Sequence, residues 1–309
     1  MRRSMDGVNF LNLKLKNPTV LASGILGLTA SSMRRVIKVG GAGAVTTKSF
    51  NKDWRKGHKN PSIIPFEHGL LNAVGLSNPG IDEMVKEIRK FKQQSEAPIF
   101  ASIFGRTIDE FAEVTQRTVE AEPDLIEVNV SCPNVHSEFG QPFGDSLSDT
   151  ARVTEIVKKH AGSIPVSIKL GPHGPGMGRL ARVCEENGAD AITAINTVGP
   201  GMLIDIDVRK PILSNKTGGV SGPAILPIAV KSVYEVYRTV KIPIIGTGGV
   251  TVAADAIQLI LAGATLIGIG TAVYYQGIEV FRKVADGIQS YLQKYGFNSI
   301  EEIRGLAHE

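Results

Sequence analysis

Eight times along 309 residues, a short run of β-branched and apolar residues ends in Gly, Ser, Thr, Asn or Lys and gives way to a helical period. The runs fall at 19–23, 44–49, 98–105, 125–132, 165–171, 191–197, 243–249 and 266–272. Stretches such as "GIDEMVKEIRKFKQQS", "TIDEFAEVTQRTVEAE" and "TVAADAIQLILAG" alternate with them and carry apolar residues at helical spacing. Thr107 ahead of Asp109 and Glu110 reads as a helix start, and Gly188 and Gly263 read as stops. Strands that are apolar throughout and alternate with helices are buried on both faces, which implies parallel pairing. Eight such units in a chain of this length predict one (β/α)8 TIM barrel spanning residues 1–309, rather than an open sheet. The segment "VNFLNLKLK" alternates and is expected to form a hairpin at the barrel floor. Residues 49–79 are too many for a plain βα loop and are expected to fold over the top face and shape the site.

Composition removes several classes. No apolar stretch is long and pure enough to span a bilayer, and "MRRSMDGVNF" has two arginines without an apolar signal core, so a cytoplasmic protein is expected. The only cysteines are Cys132 and Cys184, too few for a disulfide scaffold or a four-cysteine metal site. No metal site is expected. A net charge of +4 and a pI of about 9.0 suit an anionic small molecule.

In a barrel of this kind chemistry sits at the C-terminal ends of the strands. Read in order, the tips carry Ser23; Thr47, Lys48 and Ser49; Ser102; Asn129 and Cys132; Lys169; Asn196 and Thr197; Gly248 and Gly249; and Gly270 and Thr271. "IIGTGGV" and "LIGIGTAV" are each a strand, a glycine turn and a helix start at the seventh and eighth positions, where backbone N–H groups can hold a phosphate. "TGGVSGPAI" is a third glycine turn. A phosphate-bearing cofactor could be pyridoxal phosphate, which needs a lysine for its Schiff base, or flavin mononucleotide, which often has a cation beside its ring, and Lys169 suits that second role. Cys132, just before Pro133 and among Asn129, Ser131 and Asn134, could be a nucleophile or a base that takes a proton from a carbon acid. Cys184, inside a helical period, reads as a small core filler. Asn72, Asn129 and Asn196 offer paired donors and acceptors that suit a cyclic imide, whereas Asn78 before Pro79 reads as a turn residue.

Together "LASG", "TTKSF", "LLNAVGLSNPG", "EVNVSCPNV", "SIKLGP", "INT", "GGVSGPAI", "GTGGV" and "GIGTA" stand in an order that resembles the class 1 dihydroorotate dehydrogenases almost end to end. The resemblance implies an FMN-containing barrel that oxidises dihydroorotate to orotate in pyrimidine biosynthesis. Cys132 would be the base at C5 while hydride passes from C6 to the flavin. Lys48, Asn72, Ala73, Val74, Gly75, Leu76, Asn129, Asn196 and Thr197 would hold the substrate. Ser23, Lys48, Ser49, Asn129, Lys169, Ile195, Gly222, Gly248, Gly249, Gly270 and Thr271 would hold FMN. Ser102 stands where many relatives carry Asn, so the flavin contact expected there falls to a shorter hydroxyl with one donor.

The "PFGD" and "GGVSGPAI" segments look more like subclass 1B than 1A. Subclass 1B implies a homodimer of this chain within a heterotetramer, whose second subunit carries FAD and a [2Fe–2S] cluster and delivers electrons to NAD+. Two cysteines cannot ligate such a cluster, so it would belong to the partner. Subclass 1A would use fumarate instead. A third reading is a dihydrouridine synthase-like RNA-modifying flavoenzyme, but the sequence shows no added RNA-binding helical domain, so neither nucleic acid nor membrane is expected as a partner.

Overall fold

The computed structural model describes residues 7–130 and 143–309. The chain opens with a hairpin, β1 (Val8–Phe10) and β2 (Leu13–Leu15), and enters the barrel at β3 (Thr19–Leu21). Helix α1 (Ala30–Arg35) runs on into a π-helical turn (Val36–Gly40) and leads to β4 (Ala44–Thr46). A second hairpin, β5 (Ile63–Phe66) and β6 (Gly69–Asn72), precedes α2 (Ile81–Lys92) and β7 (Ile99–Ile103). Then come α3 (Ile108–Val119), β8 (Leu125–Asn129), α4 (Leu147–Ala161), β9 (Val166–Leu170), α5 (Met177–Glu186) and β10 (Ala191–Ala194). An excursion of short strands follows: β11 (Val198–Gly201), β12 (Ile204–Asp205), β13 (Lys210–Pro211) and β14 (Gly218–Ser221). The last elements are α6 (Leu226–Tyr237), β15 (Ile244–Thr247), α7 (Ala253–Leu261), β16 (Leu266–Ile269), α8 (Ala272–Gln276) and α9 (Val280–Tyr295).

Strands β3, β4, β7, β8, β9, β10, β15 and β16 close into one parallel barrel, as the eight apolar runs predict. Every residue of β7 and β9 is buried, because helices cover the outside and side chains fill the inside. The punctuation works as read. Thr107 Oγ1 accepts a hydrogen bond from Glu110 N at 3.1 Å and caps α3. Gly263, at φ +121°, ends the turn after α7 where a Cβ would land 2.2 Å from the Tyr237 ring. The β1–β2 hairpin plugs the floor: Phe10 is buried, with its ring 6.3 Å from that of Phe100 near the start of β7. Cys184 is core filler, and burial pushes its thiol up to about 12, so it stays protonated at neutral pH.

One layer departs from expectation. The segment between residues 49 and 79 supplies β5 and β6, which join β14 and β11 in a four-stranded antiparallel sheet. "TGGVSGPAI" is therefore not simply a glycine turn. Its first half is strand β14, paired with β6 so that Gly219 faces Asn72. The glycines serve close approach there: a Cβ on Gly218 would lie 2.4 Å from the Asn72 carbonyl oxygen.

Candidate active site

At the C-terminal ends of the barrel strands, bounded by β6 and β14, lies a cleft of about 1230 Å³ counted out to its open mouth. Lys48 follows β4 and Lys169 stands near the end of β9; both line the cleft. Among the described lining residues there is no carboxylate. Two lysines, with no carboxylate among those lining residues, suit the cleft to negatively charged ligands.

Lys169 is held from below. Its Nζ lies 3.6 Å from Glu127 Oε1, and both side chains are almost fully buried. The register explains the pairing: Asn129 is the Cα partner of Lys169, so Glu127 sits one inward position deeper on β8. Glu127 also accepts from Ser102 Oγ at 3.0 Å. Ser102 contacts Ser49 Oγ at 2.9 Å, and Ser49 contacts Ser23 Oγ at 3.0 Å. Ser23 and Ser49 line the cleft, whereas Ser102 is fully buried and is linked to it through Ser49 and through Glu127 and Lys169. Glu127 was not singled out in the sequence. Its signal was there: a charge in the apolar strand "LIEVN", on the same face as Asn129.

The amides converge as expected. Asn129 Oδ1 accepts from Asn196 Nδ2 at 3.2 Å, and Asn196 Oδ1 accepts from Thr197 N at 2.9 Å. Asn72, at the end of β6, donates from Nδ2 to Gly219 O at 3.2 Å. All four residues line the cleft, as do Val74, Gly75, Leu76 and Ile195. Ala73 does not; it is buried with Leu71 and Leu213 in a small apolar cluster under the covering sheet. The stretch from Asn72 to Leu76 is pinned from behind. Arg55 Nε donates to Gly75 O at 2.7 Å, and His58 N donates to Val74 O at 3.1 Å. Asn78 Nδ2 donates to Leu76 O at 2.9 Å, the turn role expected of it.

The glycine turns form a further part of the wall, with Gly222, Gly248, Gly249, Gly270 and Thr271 all lining the cleft. Gly248 and Gly249 take φ of +128° and +81°. A Cβ on Gly270 would meet only Ala22 Cβ, at 3.6 Å, so this glycine keeps the cleft clear. Thr271 Oγ1 donates to Ser221 Oγ at 2.8 Å, tying the eighth turn to the end of β14. Glycine turns in one cleft with two lysines and three amides fit a phosphate-bearing cofactor with a polar ring, as FMN is. Cys132 and its neighbours Ser131, Asn134 and His136 lie outside the described residues. The described ends of that segment meet at the top of β8, where Gly144 N donates to Val130 O at 2.9 Å.

Comparison with known proteins gives a consistent picture. The family model described as dihydroorotate dehydrogenase matches residues 5–292. A Methanothermobacter thermautotrophicus protein named "Dihydroorotate dehydrogenase B (NAD(+)), catalytic subunit" is 45% identical over 298 residues, covering 96% of this chain and 97% of its own. Proteins of the same name from Methanosarcina mazei and Pyrococcus abyssi are 44% and 43% identical, over 100% and 97% of this chain and 97% and 98% of their own.

Proposed function

The chain belongs to the dihydroorotate dehydrogenase family, and on that premise we propose that its cleft oxidises dihydroorotate to orotate in pyrimidine biosynthesis, using FMN. The observation that carries this is the pairing of two lysines and three asparagines in one cleft with no carboxylate among its described lining residues. Dihydroorotate brings a carboxylate and a cyclic imide, and FMN brings a phosphate and a second imide-like ring. Both are anions with amide edges, which is what this set of donors and acceptors recognises.

FMN held by the glycine turns would supply the two-electron acceptor that the oxidation needs. The rest falls to the chain. Lys48 and the backbone from Asn72 to Leu76 hold the substrate carboxylate and one ring edge. Asn129, Asn196 and Thr197 hold the other. Gly222, Gly248, Gly249, Gly270 and Thr271 cradle the phosphate end of the cofactor, while Ser23, Ser49 and Ile195 border its ring. Lys169 would supply a positive charge that favours the anionic, reduced form of the cofactor. Cys132 takes the C5 proton, and the sulphur that accepts it then releases it to solvent. Substrate loses one proton and one hydride, and the C5–C6 bond becomes double.

The relatives are named as catalytic subunits with NAD(+), which favours electron transfer through a second subunit to NAD+ over direct use of fumarate. That partner supplies FAD and the [2Fe–2S] cluster, on a homodimer of this chain. Among the described residues no helix is long and apolar enough to cross a membrane. Purification from native cells tests the assembly. The expected result is a yellow complex with one FMN per chain, an iron–sulphur flavoprotein in equal amount and dihydroorotate-dependent reduction of NAD+. A homogeneous chain that turns over with fumarate alone would assign it to the other subclass.

A further inference from the structure

The reaction as described gives Glu127 no task, yet the residue is costly to bury. It is 3% exposed inside the barrel, and a lone carboxylate there would be strongly disfavoured. The structure gives it Lys169 Nζ at 3.6 Å and Ser102 Oγ at 3.0 Å. Ser102 has one hydroxyl proton, and the bond to Glu127 uses it. The contact of 2.9 Å between Ser102 and Ser49 must then be donated by Ser49, and that of 3.0 Å between Ser49 and Ser23 by Ser23. A single buried carboxylate therefore sets the direction of three hydroxyls and leaves Ser23, at the cleft, presenting lone pairs. The same carboxylate offsets part of the charge of Lys169, the cation that borders the cleft at that side.

We propose that Glu127 is a positioning residue for the flavin site: it holds Lys169 at the centre of the barrel and, through Ser102 and Ser49, turns Ser23 into a hydrogen-bond acceptor toward the cofactor. This rests on the FMN reading above. Removing the charge of Glu127 leaves Lys169 more strongly positive toward the cleft, so the reduced, anionic flavin gains and the reduction potential rises.

The test is a double-mutant cycle read by the two-electron potential of the FMN-loaded protein, measured against a dye of known potential, without substrate. Glu127→Gln is expected to shift the equilibrium toward reduced flavin about tenfold, which is ~30 mV for a two-electron couple. In a Lys169→Met background the same change is expected to shift it less than about threefold, because the group it positions is gone. Should Glu127→Gln hold FMN too weakly for a potential, the Kd for FMN is read in the same cycle. A smaller loss of affinity on Glu127→Gln in the Lys169→Met background than in the parent supports the proposal, because the positioned group is already gone. An unchanged potential in Glu127→Gln, an equal potential shift with and without Lys169, or an equal loss of FMN affinity in both backgrounds overturns it. If the parent chain binds no FMN at all, the flavin reading itself fails, a separate outcome.

Discussion

Replacing Cys132 by serine is expected to leave a yellow protein that binds orotate as the parent does, but whose flavin is reduced by dihydroorotate about 10²–10⁴-fold more slowly. The C5 proton of dihydroorotate is that of a weak carbon acid. A thiol with an ordinary pKa near 8.5 is already a few per cent thiolate at neutral pH, and a serine hydroxyl is not ionised at all. The groups that hold the ring lie elsewhere: Lys48 after β4, Asn72 on β6, Asn129 on β8 and Asn196 after β10. The loss should therefore fall on the reductive rate and not on orotate affinity, which is the signature of an interaction made only in the transition state. Single-turnover mixing under argon separates the two. Reduction in the variant as fast as in the parent would remove Cys132 from the base role.

Gly249→Ala is expected to lose FMN and about 2–5 kcal/mol of stability together, because one methyl group meets two obstacles. The residue lies at φ +81°, where an L side chain is strained. Its Cβ would also stand 2.5 Å from Leu226 Cβ and 2.6 Å from the Leu226 backbone nitrogen, at the start of α6. To relieve that contact the seventh turn must move away from α6 and into the cleft it lines, where the phosphate of FMN is proposed to sit. Thermal unfolding of the apo protein and flavin content after saturation with FMN check the two halves. A variant with parental Tm and one FMN per chain would contradict the placement of this turn.

How much of this was legible without the structure depends on which residues carried it. The eight barrel strands were readable because β-branched runs such as "PIFASIF" and "PVSIKLG" end in polar residues where the helices begin. The covering sheet was not readable. Strands β11 and β14 read "VGPG" and "GGVS", with no alternation and no β-branched run, since their task is close backbone approach to β6 and to Thr197. The cleft was readable because its residues stand at strand ends, which a barrel brings together whatever their separation in sequence. Ala73 was grouped with it because it lies in a motif among lining residues, and Ser102 because it stands near the tip of its strand; sequence does not say which residue reaches the cleft. Ser102 sits one layer down, and the Glu127 it serves was hidden for the same reason: depth along a strand is set by register with its neighbours.

The central claim is that this cleft holds a flavin and a dihydroorotate together. Anaerobic titration of the FMN-loaded protein with dihydroorotate tests it in one experiment. The yellow absorbance is expected to bleach with an endpoint near one equivalent per chain, with orotate appearing in the same amount. A protein that cannot be loaded with FMN, or one that stays fully oxidised under excess dihydroorotate, would contradict it.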